Sequence, residues 1–274
     1  MTKDAYIHGT DPTEQKRLAE LNRLTNPAFL DFLRLSPNDL VLEVGSGLGI
    51  LASQVADRLT TGKIIGVECS PDQLAAARKT FLNSQDVGAS TGRPNLQFQR
   101  ADAHSLSFKQ ESFEVVYCRY LLEHVADPLR VLEEMRRVLK PDGRVFVQEN
   151  NILVNVLHPD CTEFDSVWRK FVALQERLGG DALIGKKLFA LMKQAGFRDI
   201  TLSLAPEVHQ AGQEGFRVWI ENLIGNVAGA ADRLMEFGFA SRLEIEEALS
   251  GLRRFGDRGD ASAIFYWNRA VGRK

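Results

Sequence analysis

The chain has 274 residues, 44% of them hydrophobic, with 34 basic and 36 acidic side chains and a formal net charge of −2. That length and apolar fraction suffice for one large core, so a single domain over 1–274 is expected, and the balanced charge offers no basic face to nucleic acid. No apolar run reaches the roughly 18 residues of a membrane span, Met1-Thr2-Lys3-Asp4 does not lead into a secretion signal, and Cys69, Cys118 and Cys161 lack the spacing of a zinc or iron–sulfur site. The expectation is a cytoplasmic protein with reduced thiols, no metal, and no membrane or nucleic-acid partner.

Asp11-Pro12-Thr13-Glu14 reads as a helix start, with an N-cap aspartate, proline at the first helical position and a glutamate placed for a capping box. Leu18, Leu21 and Leu24 mark one face of that helix. Residues 1–35 then either cover the sheet or form a lid, with Tyr6, His8 and Arg17 as the lid's polar contacts.

The apolar run Leu40 to Val44 suits a buried parallel strand, and glycines at 45, 47 and 49 let the chain turn without Cβ crowding. Leu51, Val55 and Leu59 then recur at helical spacing. A dinucleotide turn would have a small residue where Ile50 stands, and a P-loop would need a Lys-Ser/Thr pair. Glu43, at the strand's carboxyl end, opposes a phosphate and attracts an ammonium or sulfonium. The second strand, Lys63 to Val67, ends in Glu68, where an acid can accept both hydroxyls of a ribose.

Ser70-Pro71-Asp72 opens the next helix, with Leu74, Ala77, Phe81 and Leu82 on its apolar positions, and 83–94 is a loop. Asn95–Gln99 alternates as a third strand and leads to Asp102-Ala103; Phe113–Cys118 is the fourth. Asp127-Pro128 starts a helix with the face Leu129, Leu132, Met135 and Leu139, and Lys140–Gly143 turns into a fifth strand, Arg144–Gln148.

Four of these features in this order resemble the class I S-adenosylmethionine-dependent methyltransferases: Glu43-x-Gly45-x-Gly47-x-Gly49, the acid ending the second strand, Asp102-Ala103, and the run VLEEMRRVLKPDGRV from Val131 to Val145. The resemblance spans about 37–150, and its small-molecule branch, like the ubiquinone and menaquinone enzymes, carries a Leu-x-His step such as Leu122-Glu123-His124. It implies S-adenosylmethionine as cofactor, with S-adenosylhomocysteine as product. Glu43, Gly45, Ser46, Gly47, Gly49, Glu68 and Cys69 would surround the methionine and ribose, Gln73 would lie against adenine, and Asp102 and Ala103 would bind its edge. Arg119 would hold a cofactor or substrate carboxylate, or pair with Glu43 or Glu123. The chain lacks the Asn/Asp-Pro-Pro-aromatic step of base methyltransferases after the fourth strand, which disfavours methylation of nucleobases.

Beyond Glu149, Leu183–Ala195 and Asp199–Leu204 fit a helix and a sixth strand, and Ile264–Val271 an antiparallel seventh. Phe216, Trp219, Ile220, Leu223 and Ile224 share a helical face, and Ser241 with Glu244 forms a capping box before Ile245. The expected fold is α/β, a doubly wound seven-stranded sheet in the order 3-2-1-4-5-7-6. Its subdivision is a lid (1–35), a Rossmann-like core (36–204), a helical cap (205–260) and the last strand (261–274). Residues 150–182, with Asn150, Asn151, His158, Trp168 and Phe171, would wall the acceptor side together with the cap, which suggests a hydrophobic or aromatic small molecule in a monomer or homodimer. If the acceptor arrives protonated, base candidates are His124 first, then His158, His8 and His209. Other readings are a protein or RNA methyltransferase, a catalytically silent cofactor-binding partner, and an NAD-dependent dehydrogenase, the last opposed by Ile50 and Glu43.

Overall fold

The computed structural model describes residues 12–81 and 93–274; Tyr6, His8, Asp11 and Leu82 lie outside them. Five strands run parallel: β1 (Leu40–Val44), β2 (Lys63–Glu68), β3 (Leu96–Arg100), β4 (Phe113–Arg119) and β5 (Leu139–Glu149). β6 (Val156–His158) and β7 (Arg198–Gln210) both pair antiparallel with β8 (Ser262–Arg273), which itself pairs antiparallel with β5. The sheet order is β3-β2-β1-β4-β5-β8, with β7 on the outer edge of β8, as the sequence pattern implies once β7 and β8 are taken as the sixth and seventh strands. β6, three residues long, was not expected, because so short a segment shows no alternation to read.

Alternate residues of the central strands face opposite ways. Val41, Ile64, Val115, Tyr117 and Phe146 pack with the C-terminal half of α1 (Pro12–Phe32), α2 (Ile50–Arg58) and α3 (Pro71–Phe81). Leu42, Val44, Val116 and Val147 pack under α4 (Pro128–Val138) and α6 (Leu188–Gln194). Helix α4 begins as read, with the Asp127 carboxylate accepting from the Arg130 N–H and Pro128 at the first turn. It ends one residue earlier than its apolar spacing suggested, since Leu139 turns extended and is the first residue of β5.

A third apolar cluster joins α5 (Thr162–Arg177), α7 (Glu214–Glu236) and α8 (Arg242–Gly256) over one face of β7 and β8. The Ser241–Glu244 capping box opens α8 with both reciprocal bonds present. Helix α5 had no place in the element-by-element reading, although Phe164, Trp168, Phe171 and Leu174, all buried, stand at helical spacing. β7 runs six residues past the expected Leu204, because β8 is long enough to pair it as far as Gln210.

Helix α1 belongs to both halves. Phe29, Leu30 and Leu33 at its C-terminal end are buried against the sheet, whereas Leu21 joins the cap cluster, Arg17 donates to Asn222 on α7, and Arg23 reaches Glu214 at 2.9 Å. The C-terminal half is therefore a fixed core element, and only the N-terminal half lies along the cap.

Candidate functional site

The strand order reverses direction between β1 and β4, and in open α/β sheets the loops leaving the carboxyl ends at such a point splay apart to form a crevice. After β1 come Gly45, Gly47 and Gly49 with φ of 79°, 52° and 75°, a left-handed sequence that side chains resist. The Gly45 and Ser46 N–H groups both donate to the Val67 carbonyl at 2.9 Å, which folds the loop back over β2. A Cβ at Gly49 would sit 2.7 Å from Phe98 Cε1, so that glycine is also demanded by packing.

Acids at two neighbouring strand ends enclose this loop. Glu68 is buried and accepts from the Gly47 N–H at 2.9 Å, the Ser70 N–H at 2.8 Å and the Cys69 thiol at 3.4 Å. Glu43 is buried too, and burial pushes its carboxyl up to about 8 against the pull of nearby Arg119 and Tyr117. Its Oε2 and the Ser46 hydroxyl have no hydrogen-bond partner among the described residues, although both atoms are shielded from solvent. Polar atoms so placed are costly unless a ligand meets them.

The remaining expected cofactor contacts sit around the same loop. The Gln73 amide oxygen lies 3.4 Å from where a Cβ of Gly47 would be. Asp102 and Ala103 follow β3 in a tight turn: one Asp102 oxygen accepts from the His104 N–H at 2.9 Å and lies 2.8 Å from its Nδ1, and these contacts hold the carboxyl below its usual range. The Asp102 side chain is 60% exposed and so remains reachable. Arg119, near Glu43, is held by α1. It donates to Asn22, Asn26 and Thr25 of α1 and stacks over Tyr120 at 4.8 Å, and among the described residues it forms no ion pair with Glu43 or Glu123.

The chain leaving β4 links the loop to a second space. Tyr120 adopts φ 55°, and the N–H groups of Leu121 and Leu122 donate to one oxygen of Glu149 at the end of β5, at 3.0 and 2.9 Å. Burial and the neighbouring Glu123 raise the Glu149 carboxyl. Leu121 packs on Gly45, where an added Cβ would stand 3.0 Å from its Cδ1. Its neighbours Tyr120, Glu123 and His124 line a cavity of about 130 Å³ whose opposite walls are Trp168 of α5, Trp219 of α7 and Trp267 of β8.

Of the four histidines proposed as bases, only His124 lines this cavity, with Nε2 3.9 Å from the Glu123 carboxylate. His158 lies on β6, and His209 stacks behind Trp219 at 5.3 Å between ring centres; neither lines the cavity, and His8 is outside the described residues. Sequence reasoning missed Asn155, Asn222 and Asn226 in the wall, because isolated asparagines carry no pattern. Glu149 could have been found, since it is a third acid at a strand's carboxyl end after Glu43 and Glu68. Among the described residues no cluster of three or more His, Cys, Asp or Glu is placed to hold a metal, and no helix is long and apolar enough to cross a membrane.

A reversed strand order, a positive-φ glycine turn and acids ending β1 and β2 make a Rossmann-like fold with a crevice at the strand reversal. Residues 42–147 match the methyltransferase domain family. That domain and the relatives described next support a class I S-adenosylmethionine-dependent methyltransferase, with S-adenosylmethionine as cofactor. It is 29% identical over 238 residues to an O-methyltransferase of Pyrenophora dematioidea, covering 84% of this chain and 82% of that one. It is 31% identical over 173 residues to the chloroplastic 2-phytyl-1,4-beta-naphthoquinone methyltransferase of Arabidopsis thaliana, covering 58% and 64%. The chain spans from 45% to 92% of the length of such curated relatives, and less than two thirds of most of them. The same fold is seen in the Haemonchus contortus phosphoethanolamine N-methyltransferase 2 bound to S-adenosyl-L-methionine, at 19% identity and TM-score 0.54, covering 95% of this chain and 52% of that one.

Proposed function

We propose that the protein transfers the methyl group of S-adenosylmethionine to an oxygen of a small aromatic acceptor by in-line displacement. The observation that carries this is the junction at Leu121, which touches the glycine loop on one side while Tyr120, Glu123 and His124 open on the tryptophan-lined cavity on the other. A sulfonium over Gly45 and an acceptor at the mouth of the cavity would thus meet beside Leu121, with the acceptor oxygen in line with the methyl–sulfur bond. Oxygen is favoured by the O-methyltransferases among the relatives.

In this reading Gly45, Gly47 and Gly49 let the backbone approach the cofactor, Glu68 accepts the ribose hydroxyls, and Gln73, Asp102 and Ala103 meet adenine. The free oxygen of Glu43 and the Ser46 hydroxyl are placed for the methionine ammonium, with Cys69 closing the rim. Arg119, tied to α1, acts by holding that helix over the site rather than by gripping a ligand. The cofactor supplies an electrophilic methyl and leaves as a neutral thioether, so no group need protonate it; alignment and exclusion of water are what the protein provides. An aryl hydroxyl must lose its proton, and His124, braced by Glu123, is the cavity residue suited to accept it.

Incubating the protein with methyl-labelled S-adenosylmethionine and a panel of phenols should release S-adenosylhomocysteine and label an aryl oxygen, with inversion at a chiral methyl. In His124→Gln, kcat should fall about 100-fold with little change in KM, within the range usual for loss of a general base. Label recovered on protein or RNA instead would overturn the proposal.

A further inference from the structure

The polar atoms of the cavity wall restrict which acceptor it can take. Asn155 Oδ1 accepts from the Trp219 indole N–H at 3.3 Å, which fixes the orientation of its amide and leaves Nδ2 as a shielded donor with no partner among the described residues. Asn150 is the converse: its Nδ2 donates to Glu123 at 3.5 Å, while its Oδ1 is a shielded acceptor with no such partner. Both residues line the cavity. A buried donor and a buried acceptor left unmet each cost on the order of 1–3 kcal/mol, and a ligand offering one acceptor and one donor removes both costs.

The indoles set shape. Trp168 donates to the Ile152 carbonyl and Trp267 to Glu207, so with Trp219 all three indole N–H groups are satisfied inside the protein and the rings have only apolar surface to offer a ligand. At about 130 Å³ the space is close to the engineered cavity of about 150 Å³ that accepts benzene in another protein, which is room for one six-membered ring. Charge narrows the choice further. Glu123, which accepts from Asn150 at 3.5 Å, puts a carboxylate beside the Asn150 acceptor, while Arg17 is the one lining cation among the described residues. A ring carboxylate seated at the Asn150 end would face repulsion from Glu123 and has no hydrogen to donate there.

Resting on the methyltransferase reading above, we propose that the acceptor is a neutral, single-ring phenol that also bears a carbonyl oxygen. The carbonyl accepts from Asn155 Nδ2, a ring hydroxyl or amide hydrogen donates to Asn150 Oδ1, and the ring lies among Trp168, Trp219 and Trp267. Fused-ring and carboxylate-bearing phenols are poor fits.

The test uses the full chain saturated with S-adenosylhomocysteine, titrated with the three hydroxybenzamide isomers, toluene, 4-hydroxybenzoate and 3-hydroxy-2-naphthamide. Binding is followed by calorimetry and by tryptophan fluorescence, which reports on this cavity alone because the chain has only three tryptophans. At least one hydroxybenzamide should bind roughly tenfold more tightly than toluene, the benzoate or the naphthamide, with a change in fluorescence. Asn155→Asp keeps the acceptor for Trp219 and removes the donor, so it should lose that tenfold preference while toluene binding changes less than twofold. Asn155→Ala, checked by circular dichroism, provides the uncharged control and should lose the same preference. Equal affinity for toluene and hydroxybenzamide, tighter binding of the benzoate or naphthamide, or an unchanged preference in both variants would overturn the proposal. If S-adenosylhomocysteine binds and no ring does, this inference fails and the methyltransferase reading stands; if S-adenosylhomocysteine itself does not bind, both fail.

Discussion

The two halves of the crevice are built by different means. On the cofactor side, the loop after β1 and the end of β2 place backbone N–H groups, three positive-φ glycines and two acids within a short stretch of chain. On the cap side, the cavity wall is assembled from side chains of α1, the turn after β4, the segment after β5, α5, α7 and β8. A ligand met by backbone is specified locally and tolerates little substitution. A ligand met by side chains from six parts of the chain can be changed one residue at a time, which is a physical reason one fold can serve many acceptors.

Four experiments would break or sharpen this contrast. The largest effect is expected from Gly49→Val, where a β-branched residue must adopt φ 75° and overlap the Phe98 ring; the loss should be roughly 3–5 kcal/mol in urea unfolding. Trp168→Ala comes next, since it empties part of the cap and leaves the Ile152 carbonyl without its 2.7 Å donor. A cost of about 3–4 kcal/mol is expected, with affinity for S-adenosylhomocysteine within threefold of the parent. A loss of cofactor binding there would show that the halves are not separable.

Glu68→Ala should keep the fold and weaken S-adenosylhomocysteine about 100-fold in calorimetry, through loss of charge-assisted bonds to the ribose and to the loop. The smallest effect concerns pH. Glu43 titrates near 8 in the folded protein against an ordinary 4.5, so it is protonated below that point and must ionise to meet an ammonium. Cofactor binding should therefore release close to one proton at pH 7, and affinity should rise toward pH 8 and then level; Glu43→Gln should remove the proton release. The folded state holds the extra proton, so this group's contribution to stability is complete below pH 4.5 and disappears as pH rises through about 8.

The glycine-loop half was legible because its determinants are consecutive: the residues that carry the motif stand together at the ends of β1 and β2, and strand, turn and helix each announce themselves by period. Glu43 and Glu68 could be placed by their position at strand ends alone. The strand order followed from the same pattern. The cap was legible only as amphipathic helices. Which faces converge depends on packing among α5, α7 and β8, and nothing in the spacing of Asn155 or Trp267 says that they share a wall with His124. Arg119 shows the limit from the other side: its position at the end of β4 suggested a ligand contact or an acidic partner, and nothing in the sequence said that helix α1 would bring three side-chain acceptors within its reach.

The bend at Tyr120 to His124, held by Glu149, joins the glycine loop to the tryptophan-lined cavity. On the function proposed above, acceptor preference would drift through changes in the cap while the ability to use the methyl donor is inherited intact. A lineage built this way explores new metabolites without first surrendering its chemistry, and transplanting the cap helices onto a sister enzyme should carry substrate choice with them.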